Sequence, residues 1–443
     1  MSIHILWQNP FSFNKKPLFI SEYFSSLDED EIYILKEYGI NLKISRKLFN
    51  NAKFLKNLDL FVLEIKAKEW ISLKLVKSIS ITYFNALVNG VINLLLKLLF
   101  ESGAVLHKLE LSFSESFEFK PEIFHSIGQM SYSSQDYNIY LCHSLNLKIY
   151  SDYEPRLFHS LFHAIIRIIK SQDQLKWFSI DGEDYPTELY GIISALECQK
   201  NSLQEVIIIE CTYNKEFEVL KDCKNLETLR ILNCCSKLLN LLDCKISTLE
   251  IVDCPIEVQT IPLILEKSGL LLQRLSFNPK NLKDIHEALF FLEALKSFCP
   301  NITYLTILNI GVSTQLVEII GNLQKLQFLS LWCFNDIQEE ELKIQVMLFA
   351  EILPLTLQYL DLGNTWQPYI FLNHCNAPLK RLLIYRLNDE KHTRALIEFC
   401  LRNKALNYVG VYAYSDLGEN LRKEVEAHVT NVALVQRARI VEF

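Results

Sequence analysis

The side chains best suited to catalysis or metal binding are few and scattered in this sequence. His159 and His163 stand four residues apart in a segment with helical spacing, and Glu154 lies nearby. Two histidines one helical turn apart could hold Zn²⁺, but the pattern supplies no clear third ligand. The alternative is the polar face of an amphipathic helix, and the sequence favours that interpretation. We therefore predict no metal site.

Two further polar groupings are explained better by structure than by chemistry. Asp181–Pro186 (DGEDYP) carries three carboxylates, but Asp-Gly and Pro are typical of a solvated turn. Cys234 and Cys235 are adjacent at a predicted strand end, where one suits the core and the other a turn. The sequence has no GxxxxGK[ST], GxSxG, HExxH or paired CxxC motif. We predict no catalytic residues, no enzyme activity and no cofactor.

Composition narrows the class of protein. A chain of 443 residues that is 50% apolar is typical of several domains or of one elongated repeat array. The net charge of −7 weighs against a nucleic-acid partner. The cysteines lie scattered in apolar runs, which predicts a reducing compartment, the cytoplasm or the nucleus. The apolar stretch Ala86–Phe100 is short and contains Asn93 and Lys97, so we predict no membrane span.

A repeated frame is the strongest feature of the sequence. Columns one, four and six of the frame are apolar, as in LETLRI from Leu226, and the starts are 20 to 31 residues apart. Leucine-rich repeats have periods of about 20–29 residues. Regular frames begin at Leu203, Leu226, Ile246, Leu272, Ile302, Leu326, Leu357, Leu379 and Leu406. Weaker frames begin at Leu55, Leu106, Cys142 and Leu175.

Each frame predicts a short strand that buries columns four and six only when it lies beside its neighbours. Helical patterns fill the gaps between the frames, at 284–298, 314–323, 339–354 and 393–404, the last with Thr393 as its N-cap. Upstream, Pro17–Ile40 predicts two helices around an acidic turn at Asp28–Glu31. The fold class is α/β: a ribonuclease-inhibitor-like, leucine-rich-repeat solenoid with parallel strands on the concave face, helices on the convex face and a helical N-terminal cap.

Column nine is a cysteine in three consecutive frames, at Cys211, Cys234 and Cys254. The chain leaves the strand there, and a small polarisable side chain can bond backbone groups that the turn leaves unpaired. We predict that these cysteines are structural.

Columns three, five and seven should face the concave side. The early frames place Glu205, Arg230 and Glu250 there, and Arg274 follows. Aromatic and arginine side chains are enriched at protein-binding hot spots, so one interpretation is a partner-binding surface. The other is that the aromatic rings stack on one another or lie beneath the C-terminal tail. The candidate binding residues are Tyr304, Phe328, Trp332, Tyr359, Asp361, Arg381, Tyr385, Tyr408 and Tyr412.

The chain resembles the F-box/leucine-rich-repeat proteins, especially the large set found in arbuscular-mycorrhizal fungi. The resemblance rests on ILWQNPF near the start, the helical block ending LKEYGINL, and the cysteine-bearing repeats with CPNITYLTI. In that family the F-box is a helical bundle that docks on the adaptor of a cullin-type ubiquitin ligase. Ile5, Leu6 and Trp7 resemble the end of an F-box whose first helices have no counterpart here. From the residues alone, Trp7 is expected to be an apolar cap over the first repeat.

The resemblance implies five segments: an F-box remnant (1–13), a helical cap (14–50), degenerate repeats (51–200), regular repeats (201–430) and a tail (431–443). It implies a protein target and substrate recognition for an SCF-type ubiquitin ligase, with the cullin-ligase adaptor as a partner if a fuller F-box exists. One alternative is a stand-alone interaction scaffold without ligase coupling. Another is a ligand-sensing receptor with an enclosed cavity.

Overall fold

The computed structural model describes residues 7–12, 16–37, 39–41, 51–75, 79–102, 106–113, 142–150, 158–182, 191–241, 245–255, 260–280, 285–335, 337–385, 390–411, 423 and 433–436. Ile5, Leu6, Glu154 and Tyr412 lie outside these residues. The chain divides into two compact units, Met1–Leu226 (unit 1) and Glu227–Phe443 (unit 2).

Unit 1 alternates short strands with helices. Its strands are β1 (Asn57–Asp59), β2 (Lys108–Phe113), β3 (Ser144–Ile149), β4 (Trp177–Asp181) and β5 (Glu205–Ile209). Its α-helices are α1 (Phe19–Tyr23), α2 (Glu29–Glu37), α3 (Leu60–Lys74), α4 (Ile81–Glu101) and α5 (Phe158–Ser171). Its 3-10 helices are Phe24–Ser26, Asn51–Phe54, Ser194–Gln199 and Lys215–Asp222.

Unit 2 continues the alternation with longer helices. Its strands are β6 (Thr228–Leu232), β7 (Thr248–Val252), β8 (Arg274–Asn278), β9 (Tyr304–Gly311), β10 (Phe328–Phe334), β11 (Tyr359–Leu362), β12 (Arg381–Ile384), β13 (Tyr408–Val411) and β14 (Ala433–Gln436). Its α-helices are α6 (Thr260–Ser268), α7 (Ile285–Phe298), α8 (Thr314–Asn322), α9 (Glu339–Ile352), α10 (Pro368–His374) and α11 (Glu390–Arg402). Its 3-10 helices are Ser236–Leu241 and Asn364–Trp366.

The strands of each unit pair in chain order and in parallel. Every frame of the sequence lies on a strand, and equivalent columns meet: Leu229 pairs with Leu249, and Leu249 with Leu275. All three are at most 1% exposed, because column four points to the helices. In a parallel sheet covered by helices, the apolar side chains of each strand are buried only because the neighbouring strands lie beside it. The predicted α/β leucine-rich-repeat solenoid is therefore confirmed.

The helical segments follow their predicted patterns closely, with one error. Helices α7, α8 and α9 lie where the apolar spacing places them, and the Leu316 N–H donates to Ser313 Oγ (3.2 Å) at the start of α8. Thr393 does not cap α11, because that helix begins at Glu390 and buries Thr393 in its first turn. A Thr near the start of a helix can be the N-cap residue just before the helix or a packed residue inside its first turn. The apolar spacing of the sequence does not distinguish these two positions.

The two predicted N-terminal helices are present as α1 and α2. The acidic segment Asp28–Glu31, predicted to be a turn between them, instead forms the N-cap and the start of α2. The Glu31 N–H donates to Asp28 Oδ1 (2.8 Å), and the Asp28 N–H donates to Glu31 Oε2 (3.2 Å). This reciprocal pair is a capping box at the start of α2, and carboxylates there also suit the positive end of the helix dipole. The Trp70 indole of α3 donates to Ser21 Oγ of α1 (2.8 Å), which joins the cap to the first repeat.

Helix α4 is apolar for most of its length. Among the described residues, its segment Ile81–Leu99 is the one helix long and apolar enough to cross a membrane by length and composition. In unit 1 one face of this helix is buried, with Leu87, Val91 and Leu95 at most 1% exposed. Lys97 forms an ion pair with Glu31 of α2 (2.6 Å). These contacts pack one face of α4 into unit 1, and the absence of a membrane span stays a prediction from the sequence.

The segment 431–443, assigned to a tail from the sequence, contains strand β14. Leu434 pairs with Val409 of β13, so the parallel pairing continues beyond the last frame. The segment has no leucine-rich frame, and the sequence therefore gave no signal for this strand.

Candidate protein-binding surface

The candidate surface is the sheet face of unit 2 opposite the helices, on strands β8–β13. Parallel register aligns column three along the sheet: Tyr304 with Phe328, Phe328 with Tyr359, and Tyr359 with Arg381. Alternation along each strand then sends columns three, five and seven to this face and columns four and six to the core. The sequence frame thus placed the candidate residues on the correct face.

Three consecutive aromatic rings in column three form a stack. The ring centroids of Tyr304 and Phe328 are 3.8 Å apart with planes 6° from parallel, and those of Phe328 and Tyr359 are 4.0 Å apart at 11°. Arg274 places its guanidinium 4.4 Å from the Tyr304 ring centroid, which adds a cation–π contact at the β8 end. Identical columns on neighbouring parallel strands bring these flat rings together face to face.

This stack corrects part of the predicted surface. Tyr304, Phe328 and Tyr359 are only 6–9% exposed, so the expectation that they are exposed is wrong. Each ring covers the faces of the next, and Leu383 and Tyr408 pack against the same group. Of the two interpretations of the aromatic columns, stacking along the sheet is the one that describes these three residues.

Asp361 in column five is also buried, at 4% exposed, so its carboxylate offers little surface to a partner. The Ser330 hydroxyl on the neighbouring strand donates to Asp361 Oδ2 (3.2 Å). A buried carboxylate needs such donors, because desolvation without hydrogen bonds is costly. Asp361 therefore contributes a cross-strand polar contact beneath the surface.

Trp332 and Tyr385 in column seven remain half-buried and form a second aromatic contact. Their ring centroids are 6.3 Å apart with planes at 88°, an edge-to-face arrangement. The strand between them carries Gly363 in the same column, and a Cβ there would lie 3.2 Å from Trp332 Cα and 3.4 Å from its ring. The missing side chain lets the indole lie over Gly363 and reach toward Tyr385.

Arg381 and Tyr408 complete the described surface at the β13 end. Arg381 is exposed, Tyr408 is half-buried, and the two are paired in register. Partial burial raises the pKa of the Tyr408 phenol, and the positive charge of Arg381 opposes that shift. Column three thus runs from one arginine through aromatic rings to a second arginine and a tyrosine, while Tyr412 lies outside the described residues.

The turn cysteines share one local geometry. The thiols of Cys211, Cys234 and Cys254 each donate to the carbonyl two residues earlier, at 3.2, 3.1 and 3.4 Å. Column eight, just before each cysteine, is left-handed at Glu210, Asn233 and Asp253, with φ of 50–52°. The left-handed residue turns the chain out of the strand, and the buried thiol adds a hydrogen bond to the last strand carbonyl, which at Ile209 and Val252 also accepts a backbone N–H.

The N-terminal segment lies against the first repeat. The carbonyl of Gln8 accepts hydrogen bonds from the N–H groups of Lys56 (2.9 Å) and Asn57 (3.3 Å). In the same way, the carbonyl of Lys56 accepts from the N–H groups of His107 (2.7 Å) and Lys108 (3.1 Å) at the start of β2. The half-buried Trp7 ring packs edge-on against Tyr23, with centroids 5.2 Å apart. The segment therefore occupies the place of a preceding repeat at the start of β1.

Buried glutamines are the feature that sequence reasoning missed. Gln172 Oε1 accepts from the Cys142 N–H (2.9 Å), and Gln199 Oε1 accepts from the Leu175 N–H (3.1 Å). The side-chain amide of Gln199 also donates to the carbonyls of Ile169 (3.0 Å) and Gln172 (2.5 Å). Both glutamines shortly precede column one of a frame, which is the only signal the sequence offers.

The histidine pair of α5 stands on the surface. His159 and His163 are exposed, with ring centroids 5.9 Å apart. Within the residues that the structure describes, no group of three His, Cys, Asp or Glu side chains could hold a metal ion.

Comparisons with known proteins add fold-level similarity only. No family model matches the chain. No curated protein matches it either. The chain is similar to the crystal structure of the Rad7 and Elc1 complex in yeast, at 13% identity over 85% of this chain and 92% of that chain, with a TM-score of 0.45.

Two bacterial structures are also similar. One is a protein from Bacteroides fragilis, at 12% identity over 71% of this chain and 70% of that chain, with a TM-score of 0.25. The other is a leucine-rich-repeat protein from Leptospira interrogans, at 13% identity over 70% of this chain and 91% of that chain, with a TM-score of 0.24. Because these TM-scores are all below 0.5, the assignment of the fold depends on the strand register of the chain itself.

Proposed function

We propose that this chain is a non-enzymatic protein-interaction solenoid that binds a protein partner through Trp332, Arg381, Tyr385 and Tyr408. The observation that carries the proposal is the edge-to-face pair of half-buried aromatic rings on the same sheet face as an exposed arginine and a half-buried tyrosine. Tryptophan, tyrosine and arginine are the residue types that dominate binding hot spots.

The buried stack strengthens this proposal even though it removes three residues from the surface. Tyr304, Phe328 and Tyr359 form a packed layer, and the proposed binding residue Tyr408 packs against it, so the Tyr408 ring loses little freedom when a partner binds. Binding to pre-ordered side chains costs less conformational entropy than binding to mobile ones. The layer thus favours a preformed site on strands over a site that must fold around its partner.

The test is a binding comparison between two double variants. Trp332→Ala with Tyr385→Ala removes the aromatic pair, and we expect at least tenfold weaker capture of a partner first identified with the unaltered chain, since hot-spot residues contribute about 2 kcal/mol or more each. Phe290→Ala with Leu401→Ala is the matched control, because both side chains are exposed on helices, at 57% each. Equal capture by both variants would contradict the proposal.

The finer proposal is that the chain is the substrate-recognition part of an SCF-type ubiquitin ligase. Its support is the resemblance of ILWQNPF and the cysteine-bearing repeats to the F-box/leucine-rich-repeat family. The competing proposal is a stand-alone scaffold that binds its partner through the same surface. Mixing the purified chain with a purified cullin-ligase adaptor separates them: co-elution supports the receptor, and separate elution supports the scaffold.

We further propose that the protein works in the cytoplasm or the nucleus. Every cysteine among the described residues is a free thiol, as expected in a reducing compartment. Imaging of a tagged chain tests this, and a signal confined to the secretory pathway would contradict it.

A further inference from the structure

A second surface, in unit 1, has the opposite electrostatic character to the chain as a whole. An open groove of about 890 Å³ lies between helix α5 and the 3-10 helix Ser194–Gln199. Its charged lining residues are Arg167, Lys170, Lys200 and Glu197, with His163 beside them. The described lining residues therefore carry a net charge of +2 when His163 is neutral, and +1 when the carboxylate of Glu216 at the groove's edge is included, in a chain whose net charge is −7.

The cations of the groove come from both of its walls. On α5, His163, Arg167 and Lys170 recur at helical spacing on the exposed side, while the intervening Ala164, Ile165 and Ile168 are buried in unit 1. Residues three and four apart on a helix project from the same face, so the side chains of His163, Arg167 and Lys170 form one row along α5. Lys200 extends from the opposite wall, and its ammonium is 3.9 Å from Glu197, a loose ion pair.

One carboxylate of the chain is already bound at the edge of this groove. Glu216 accepts from the N–H of Gly191 with both oxygens (2.9 and 3.0 Å) and from the N–H of Ser194 (3.3 Å). Gly191 and Ser194 both line the groove, so its backbone donors already serve a carboxylate. Lys170 and Lys200, one on each wall, are the cations that would attract a further carboxylate.

We propose that this groove binds a short acidic segment of a protein partner. Its volume lies in the upper part of the range of about 300–1,000 Å³ found for ligand pockets, which suits a few residues of peptide better than a folded domain. Cations on two walls match carboxylates on alternate sides of an extended peptide. The site is separate from the aromatic surface of unit 2 and does not depend on the function proposed for it.

The experiment uses the purified full chain and two fluorescein-labelled peptides, one with four Glu residues alternating with Ser and one with Gln at each Glu position. Fluorescence anisotropy is measured at low and at high salt. We expect the Glu peptide to bind more tightly than the Gln peptide, and its binding to weaken as salt screens the charges. Equal binding of the two peptides, or no binding of either, overturns the proposal.

Variants locate the site on the molecule. Lys170→Glu with Lys200→Glu reverses one cation on each wall, and we expect at least about a tenfold loss of affinity for the Glu peptide. Lys16→Glu with Lys36→Glu makes the same change in net charge at exposed positions outside the groove lining in unit 1, and we expect less than about a twofold change. An equal loss in both pairs overturns the proposal, because it would reflect net charge alone.

Two further measurements keep the result interpretable. Thermal unfolding of each variant by circular dichroism checks that it is folded, and Lys170→Gln with Lys200→Gln repeats the test with neutral side chains. A single-stranded RNA oligonucleotide is then added as a competitor to the bound Glu peptide. If the oligonucleotide displaces the peptide at a lower concentration than the unlabelled Glu peptide does, a nucleic-acid site replaces the peptide site proposed here.

Discussion

At the scale of single residues, the turns after the strands depend on a backbone conformation that most side chains disfavour. Column eight is left-handed at Glu210, Asn233, Asp253 and Asn309. Asparagine and aspartate adopt this conformation more readily than other residues with a Cβ, because their short polar side chains bond the nearby backbone, and glutamate is not one of the residue types that favour it. Glu210 is therefore the strained member of the series.

Substitution of Glu210 tests this strain. Glu210→Asn should raise the free energy of unfolding by about 0.5 kcal/mol, and Glu210→Ile should lower it by about 1 kcal/mol or more, because a β-branched side chain is strongly disfavoured at positive φ. Urea unfolding of the full chain measures both. Equal stabilities of the two variants would show that the turn is not conformationally strained at this position.

Phe328 shows how far a residue's column predicts its environment. The frame places it on the concave face, and the structure agrees, yet the ring is 9% exposed. Alternation along a strand reports which face a side chain takes, but not how much the neighbouring strands cover it. The signal was present in the sequence as aromatic residues in column three of three consecutive frames, Tyr304, Phe328 and Tyr359.

The stack predicts that Phe328 acts mainly in stability. Phe328→Ala should lower the free energy of unfolding by about 3 kcal/mol, because it leaves a cavity between two rings that lie 3.8 and 4.0 Å from it. Phe290→Ala, at a ring that is 57% exposed, should change it by less than about 0.5 kcal/mol. If the two variants lost equal free energy of unfolding in urea, the stacked rings would not contribute to stability as proposed.

At the scale of secondary-structure elements, the glutamines of unit 1 join successive repeats. Gln199 bonds the carbonyls of Ile169 and Gln172 and the N–H of Leu175, so one side chain satisfies three backbone groups of the preceding repeat. Hydrophobic periodicity does not register such a residue, since a glutamine between frames looks like part of a polar loop. The strands and most helices could be predicted from apolar spacing, whereas this buried polar link could not.

Replacement of Gln199 should be costly for that reason. Gln199→Leu keeps a similar size but removes three hydrogen bonds to the backbone, although the Ile169 carbonyl keeps another donor, the Gln172 N–H (3.3 Å). We expect a loss of about 2–4 kcal/mol in the free energy of unfolding. Gln204→Leu changes an exposed glutamine and should cost less than about 0.5 kcal/mol. Hydrogen exchange should locate the destabilisation of Gln199→Leu at the start of β4, and protection there equal to that of the unaltered chain would count against the link.

At the scale of the whole molecule, the buried thiols make stability depend on alkaline pH. Desolvation by burial raises the pKa of Cys142 to about 11 and the pKa of Cys299, Cys375 and Cys400 to about 12. An unfolded thiol has a pKa of about 8.5. Between these values the native chain binds more protons than the unfolded chain, so its stability falls as the pH rises.

Unfolding in urea at a series of pH values tests this dependence. The stability that the thiols contribute should be fully present below pH ~8 and should decline above it by roughly 2 kcal/mol per thiol by pH ~10. Cys299→Ala removes one buried thiol and should give a shallower decline, whatever its effect on stability at neutral pH. The partly buried Tyr408, whose pKa is also raised, acts in the same direction at higher pH. A free energy of unfolding that stays constant from pH 8 to 10, or an unchanged slope in Cys299→Ala, would show that these thiols do not govern the alkaline limit of the fold.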